Sequence, residues 1–313
     1  MTATVTGNDT RIVFCEGNET YIDSAGNAVE ASPDPLLLKK LLLPSRGKHR
    51  IVIQPLAGKQ AAKRFAQGFS TSAKQSNWLV FTDRDMDKPP TDGNTLQQWG
   101  NRAINTIYLT GLTSIENYAI DADLMKAYLQ DWIKCDRIED SEIEQSLKET
   151  VSNLAYYQAC RWALQSIRET LQSEARDTDI IRANQLDLPN RLTSTDGKLP
   201  RDDNNHLLTE QCEIRGKEII SQFQNLAQSV DLDRFTQQYH LFLMKFQEDS
   251  FFSNGDFQGW YHGKDLLAHW IEHPLIRRCN VSKTKYLKWS VKNLDFSKYP
   301  DLIDFRDICW NQG

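Results

Sequence analysis

The chain has no Cys-x-x-Cys pair. Its cysteines, at 15, 135, 160, 212, 279 and 309, are scattered, which sets aside a zinc ribbon and makes reduced thiols the expectation. No apolar run approaches the length of a bilayer span. Met1 to Thr10 lacks the basic start and apolar core of a signal peptide, so a cytoplasmic protein with no membrane contact is expected. Positive charge is not in excess either: 37 Lys and Arg stand against 42 Asp and Glu, a net charge of −5. That balance excludes a general nucleic-acid coat. It does not exclude an enzyme acting on nucleic acid, because metal-binding carboxylates enter the same negative sum. Low-complexity tracts and internal repeats are absent. Gly58-Lys59 is not followed by the remainder of a phosphate-binding P-loop, and no Gly-x-Ser-x-Gly marks a nucleophilic serine.

What is present begins with size. At 313 residues the chain exceeds the length at which single cores usually stop growing, so two domains, or one domain with a large helical extension, are expected. The first third alternates short apolar runs with helical patterns. Strands are expected at 11–15, 51–56, 78–82 and 105–110. A short helix fits Leu36 to Leu43, with Pro35 at its start and Pro44 after it. A second helix follows Gly58-Lys59, from Gln60 to Phe69, before a polar linker at 70–77. Strands alternating with helices imply parallel pairing. Beyond Asp121 the pattern turns helical: Ile143, Leu147, Val151 and Leu154 step by helical spacing. Helices are expected over 207–229 and 231–247, a loop over 186–205, a packed aromatic loop over 251–263, and a helix from Lys264 to before Pro274. The division read from these patterns is an α/β parallel-sheet domain over 1–125 and a mainly helical extension over 126–313, suited to dimerisation, partner docking and substrate contact.

Acidic residues sit where the expected strands end. Glu16 follows Ile12-Val13-Phe14-Cys15 and precedes Gly17, which lets the backbone turn sharply. Asp83 and Asp85 follow Leu79-Val80-Phe81-Thr82, and alternation along an extended segment puts both on one side. Glu116 follows Ser114-Ile115; an early acid at a helix start also suits the positive dipole end without any catalysis. Parallel sheets collect functional groups at their carboxyl ends, and converging acids repel unless a hard cation such as Mg²⁺ neutralises them. The pattern reads as a metal site for phosphate chemistry. Arg84, between the two aspartates, should point the other way as a structural ion-pair partner. Lys59 has the reach to touch a phosphate, or is simply solvated.

Arg277, Arg278, Lys283, Lys285, Lys288 and Lys292 form an acid-free stretch that also holds Tyr286 and Trp289. Cations interleaved with aromatics suit single-stranded nucleic acid; the alternative is a solvated face with two aromatics tucked into the core. His269 and His273 share a helix face, but Trp270 stands where a helical zinc motif has Glu, so a metal role is not expected there.

Taken in order, Phe14-Cys15-Glu16-Gly17, Gly58-Lys59, Asp83-Arg84-Asp85 and Ile115-Glu116-Asn117-Tyr118 resemble the Toprim domain. That domain is shared by topoisomerases, bacterial primases, recombination mediators and OLD-family nucleases. The last element is similar to OLD-like defence nucleases. The spacing, with Ser32-Pro33-Asp34 before the Leu-rich helix, is similar to the AriB group, the Toprim effectors of PARIS anti-phage systems. The resemblance covers 11–121. Tyr21 to Ala31 looks inserted, Asp87 adds an acid after Asp85, and the helical half aligns with nothing. The resemblance implies a metal-dependent nuclease, an anti-phage toxin cleaving RNA, with tRNA favoured. DNA nicking or a non-catalytic Toprim binding module are the alternatives. It implies Mg²⁺ or Mn²⁺ on Glu16, Asp83 and Asp85, with Glu116 as a further ligand. By charge alone, Lys59, Arg277, Arg278, Lys283, Lys285 and Lys288 are the candidates to meet nucleic acid; by the resemblance, Lys264 would stand with Glu16, Asp83 and Asp85 as a catalytic residue. It also implies an ABC-type ATPase sensor as partner and an active homodimer.

Overall fold

Strand β1 (Thr10–Glu16) is buried on both faces along most of its length, as expected of a strand flanked on either side in a parallel sheet. The computed structural model describes residues 10–17, 21–22, 28–29, 31–43, 50–56, 78–84, 90, 107–135, 138–177, 209–224 and 232–311. Strands β2 (Tyr21–Ile22) and β3 (Ala28–Val29) form a small antiparallel pair. Helix α1 (Pro33–Leu42) follows, with Pro33 in its first turn and Leu37, Leu38, Leu41 and Leu42 buried. Strands β4 (Arg50–Leu56), β5 (Trp78–Thr82) and β6 (Ile107–Leu109) complete the main sheet. Its order is β4-β1-β5-β6, with every pairing parallel. Pro55 lies on β4, an edge of this sheet, where a missing ladder donor is tolerated.

The chain leaves β1 for β4 on one side and then crosses to β5 on the other, so the strand order reverses beside β1. That reversal opens a crevice at the carboxyl ends of β1 and β5. Glu16 ends β1 and Asp83 follows β5.

The remaining elements among the described residues are helical. Helices α2 (Ile115–Tyr118) and α3 (Ala122–Ala127) lead through a π turn at Tyr128–Trp132 into the long helix α4 (Asp140–Asp177). Then come α5 (Thr209–Gln224), α6 (Leu232–Phe246), α7 (Asp249–Ser253), α8 (Asp256–Trp260), α9 (Gly263–Glu272), α10 (Pro274–Arg277), α11 (Lys283–Asn293) and α12 (Pro300–Asn311). The fold is α/β, a parallel sheet followed by a mainly helical part. The expected loop over 251–263 is instead largely helical, in α7 and α8. The expected helix at 60–69 and loop at 186–205 lie outside the described residues.

Two compact units divide the chain, and the division differs from a single cut near residue 125. One unit joins 1–85 and 90–143 to Gly263–Gly313; the other holds 86–89 and 144–262. In the first, Phe305 of α12 sits 4.8 Å from both Phe81 and Tyr108, ring centre to ring centre. Buried Arg11 donates from Nη1 to the carbonyls of Ile308 and Cys309, satisfying open acceptors near the end of α12. In the second unit, Ile143's helical stripe continues through buried Leu147, Val151 and Leu154. Gly216 of α5 permits close approach: a Cβ there would stand 2.3 Å from Phe235 of α6 and 2.6 Å from the Cys160 sulfur.

The thiol expectation is corrected at one pair. Cys135 and Cys279 are joined in a disulfide, their Cα atoms 6.0 Å apart; Cys15, Cys160, Cys212 and Cys309 are buried and not disulfide-bonded. Among the described residues no helix is long and apolar enough to cross a membrane.

Candidate functional site

Thr82 Oγ1 donates to Glu16 Oε1 at 3.0 Å, so the last residue of β5 orients the acid that ends β1. The next residue, Gly17, has φ +100°, and a Cβ there would stand 2.5 Å from Ser32 Cβ and 2.8 Å from Ser32 Oγ. Glycine is needed for both reasons. It lets the start of α1 press against the end of β1, and that contact carries Asp34 into the crevice. Asp34 is buried, and its carboxyl is pushed up to about 7 by burial first, then by the negative charges of Glu16 and Glu116, with Lys264 pulling the other way. The four groups therefore share one electrostatic neighbourhood.

Each residue of Ile115-Glu116-Asn117-Tyr118 has a distinct task. Ile115 is core. Asn117 Oδ1 accepts from Thr113 Oγ1 at 2.8 Å, from Ser114 N at 3.0 Å and from Ser114 Oγ at 2.9 Å, locking the turn that presents Glu116. Tyr118 donates its hydroxyl to Asp301. Glu116 is 7% exposed, and its Oε2 is buried without a hydrogen-bond partner. A buried polar atom in that state costs free energy unless a ligand or ion supplies the missing interaction.

Lys264 reaches the same place through a second glycine. A Cβ on Gly263 would stand 2.4 Å from Asn117 Oδ1 and 2.6 Å from Asn117 N, so only glycine lets α9 begin against the Glu116 turn. Lys283 Nζ donates to the Lys264 carbonyl at 3.3 Å, tying the start of the basic stretch to this edge. Asp83 is buried at the end of β5. Asp85 and Lys59 lie outside the described residues.

Arg84 is buried. Its guanidinium is drawn down to about 10 by burial, opposed by Tyr118 and Asp301. Asp301, at the start of α12, accepts from Gly111 N at 2.8 Å and from Tyr118, and its own carbonyl accepts from Tyr108 at 2.7 Å. Asp121 is a helix cap and ion-pair acid: it accepts from Leu124 N and from Lys298. His273 caps α10 through Nδ1.

The basic stretch divides by exposure. Arg277, Arg278 and Lys285 are exposed, and Lys283 and Lys288 half-buried. Its aromatics are not free for base stacking. Tyr286 is fully buried, donating to the Ala119 carbonyl, and Trp289 packs edge-on against Tyr128.

The donors are all carboxylate oxygens, the kind a hard divalent cation takes, and the orphaned Glu116 oxygen fits such an ion. Among the described residues, no three His, Cys, Asp or Glu meet closely enough to form a finished cage; the acids interact across the crevice without converging on one point. Sequence reading missed Asp34 and Asp301. Asp34 had a signal, in Ser32-Pro33-Asp34 at a helix start; Asp301 had none. Comparison with protein families, curated proteins and solved structures finds no match.

Proposed function

We propose that the protein is a metal-dependent nuclease, hydrolysing phosphodiesters at the crevice of Glu16, Asp34, Asp83, Glu116 and Lys264. The observation that carries this reading is the joint electrostatic environment of Asp34, Glu16, Glu116 and Lys264 at the carboxyl ends of the sheet. Burying like charges together raises free energy, and a phosphate-bound cation is the chemistry that offsets it. Glu16, Asp83 and Glu116, with Asp85, would hold Mg²⁺ or Mn²⁺; when bound, such an ion polarises phosphoryl oxygens and lowers the pKa of water. Asp34 enters this proposal beside them. Lys264, a cation at the rim, would bind a non-bridging phosphate oxygen and stabilise its growing charge. Thr82 holds Glu16 in place, and Asn117 holds Glu116.

RNA, with tRNA foremost, is the favoured substrate, on the resemblance of residues 11–121 to Toprim defence effectors. The same resemblance supports an anti-phage toxin acting in the cytoplasm, an active homodimer, and restraint by an ABC-type ATPase partner. Exposed Arg277, Arg278 and Lys285, with Lys283 and Lys288, would guide the backbone of the substrate. Purified protein incubated with total tRNA and with supercoiled plasmid, in Mg²⁺, Mn²⁺ or EDTA, tests this. The proposal expects metal-dependent cleavage of tRNA; cleavage of plasmid alone would move the substrate to DNA, and cleavage of neither would remove the nuclease reading.

A further inference from the structure

A second concavity lies between the α3 region and the segment that follows α11. It has a volume of about 510 Å³ and is lined by Asp121, Asp123, Asp131 and Asp295 among others. Lys298 is the one basic residue among its described lining residues. That ammonium is already seated on two of the acids, 2.9 Å from Asp121 Oδ2 and 2.8 Å from Asp123 Oδ2. The cavity thus holds a cation of its own and keeps two further acids, Asp131 exposed and Asp295 turned to Ser297.

Its wall is aromatic and apolar. Trp289 and Leu294 line it, and Trp132 stands beside Trp289 with ring centres 6.5 Å apart. Trp132 is 62% exposed. A large aromatic left in water next to an acid-lined hollow suits a side chain with an apolar stem and a cationic head. Guanidinium and ammonium groups are attracted to tryptophan faces, and tryptophan is enriched where interfaces gain most of their energy. Phosphates would be repelled, which separates this hollow from any nucleic-acid path.

We propose that this hollow docks an arginine- or lysine-bearing segment of a partner protein, its cationic head among Asp131, Asp123 and Asp295 and its stem against Trp289 and Trp132. The inference rests on charge complementarity and the exposed tryptophan, and stands whether or not the protein is a nuclease. Lys298 acts as an internal competitor, because it occupies acids that the incoming cation would use.

The test is fluorescence anisotropy of a short labelled peptide of alternating arginine and serine, with a glutamate–serine peptide as control and spermidine as competitor. The full-length protein should bind the basic peptide saturably and not the acidic one. Asp131→Lys should weaken binding about tenfold or more, and Trp132→Ala about threefold, with melting temperatures unchanged because both side chains are exposed. Lys298→Ala should tighten binding, which a generally negative surface does not predict. Equal binding by wild type and Asp131→Lys overturns the proposal. Displacement by spermidine together with indifference to Trp132→Ala would reassign the hollow to free polyamines. Self-association that disappears in Asp131→Lys would reassign it to a second copy of the chain. Either reassignment refutes a partner segment.

Discussion

Gly17 and Asp34 depend on each other. The positive φ and the 2.5 Å approach to Ser32 at Gly17 are what bring α1, and Asp34 with it, against Glu16. Gly17→Ala should cost about 2–4 kcal/mol, from left-handed strain and the steric clash together, and should abolish cleavage; urea melts and a cleavage assay read both. Asp34 supplies a pH dependence. Its carboxyl is raised by burial and by Glu16 and Glu116 to about 7, above its unfolded value. Between about pH 4 and 7 the folded state therefore holds a proton that the unfolded state has released, so this group's contribution falls as pH rises through that window. The size is at most about 4 kcal/mol. Thermal melts in EDTA should show Asp34→Asn more stable than the parent at pH 7.5 and flatter between pH 5 and 7. A less stable variant at pH 7.5 would show that the acids do not repel.

At the scale of elements, period and punctuation were legible. The strands at 11–15, 51–56 and 78–82 were placed within a residue of the observed β1, β4 and β5, because short β-branched runs between turn residues have few other solutions. The helix from Lys264 and the stripe through Ile143 were legible for the same reason. Two features of the first unit were not. The return of Gly263–Gly313 to the sheet's unit rests on contacts such as Tyr108 to Asp301 and Arg11 to Cys309, 193 and 298 residues apart in sequence, which leave no local pattern. Whether Tyr286 and Trp289 would stack on bases or tuck into the core stays open in the sequence alone, because aromatics among lysines give no sign of which helix face they occupy. Asp301→Ala tests the return directly. It strips Gly111 N and Tyr118 of their acceptor and Arg84 of its acid neighbour, and should cost about 3–5 kcal/mol, read by denaturant melts. For the basic stretch, Arg278→Glu with Lys285→Glu should weaken nucleic-acid binding and reduce its salt slope by roughly two. An unchanged slope would return these residues to a solvated face.

Across the whole molecule, the candidate site draws on segments far apart in sequence: Glu16, Asp34, Asp83, Glu116 and Lys264 come from five different places along the chain. Two glycines, Gly17 and Gly263, permit the close approaches of α1 to the end of β1 and of α9 to the Glu116 turn. The sequence patterns showed the acids at strand ends, and could not show that α1 would bring another acid or that Gly263 would let α9 begin against the Glu116 turn. The most direct test of the account is the single-turnover cleavage rate of labelled tRNA in Mn²⁺, compared between the parent protein and Glu116→Gln. Glutamine keeps the shape of the side chain and removes its charge, so the fold should persist, with a melting temperature at or above that of the parent in EDTA. The account predicts a rate lower by about a hundredfold or more. A folded Glu116→Gln protein that cleaves at the parent's rate would contradict it.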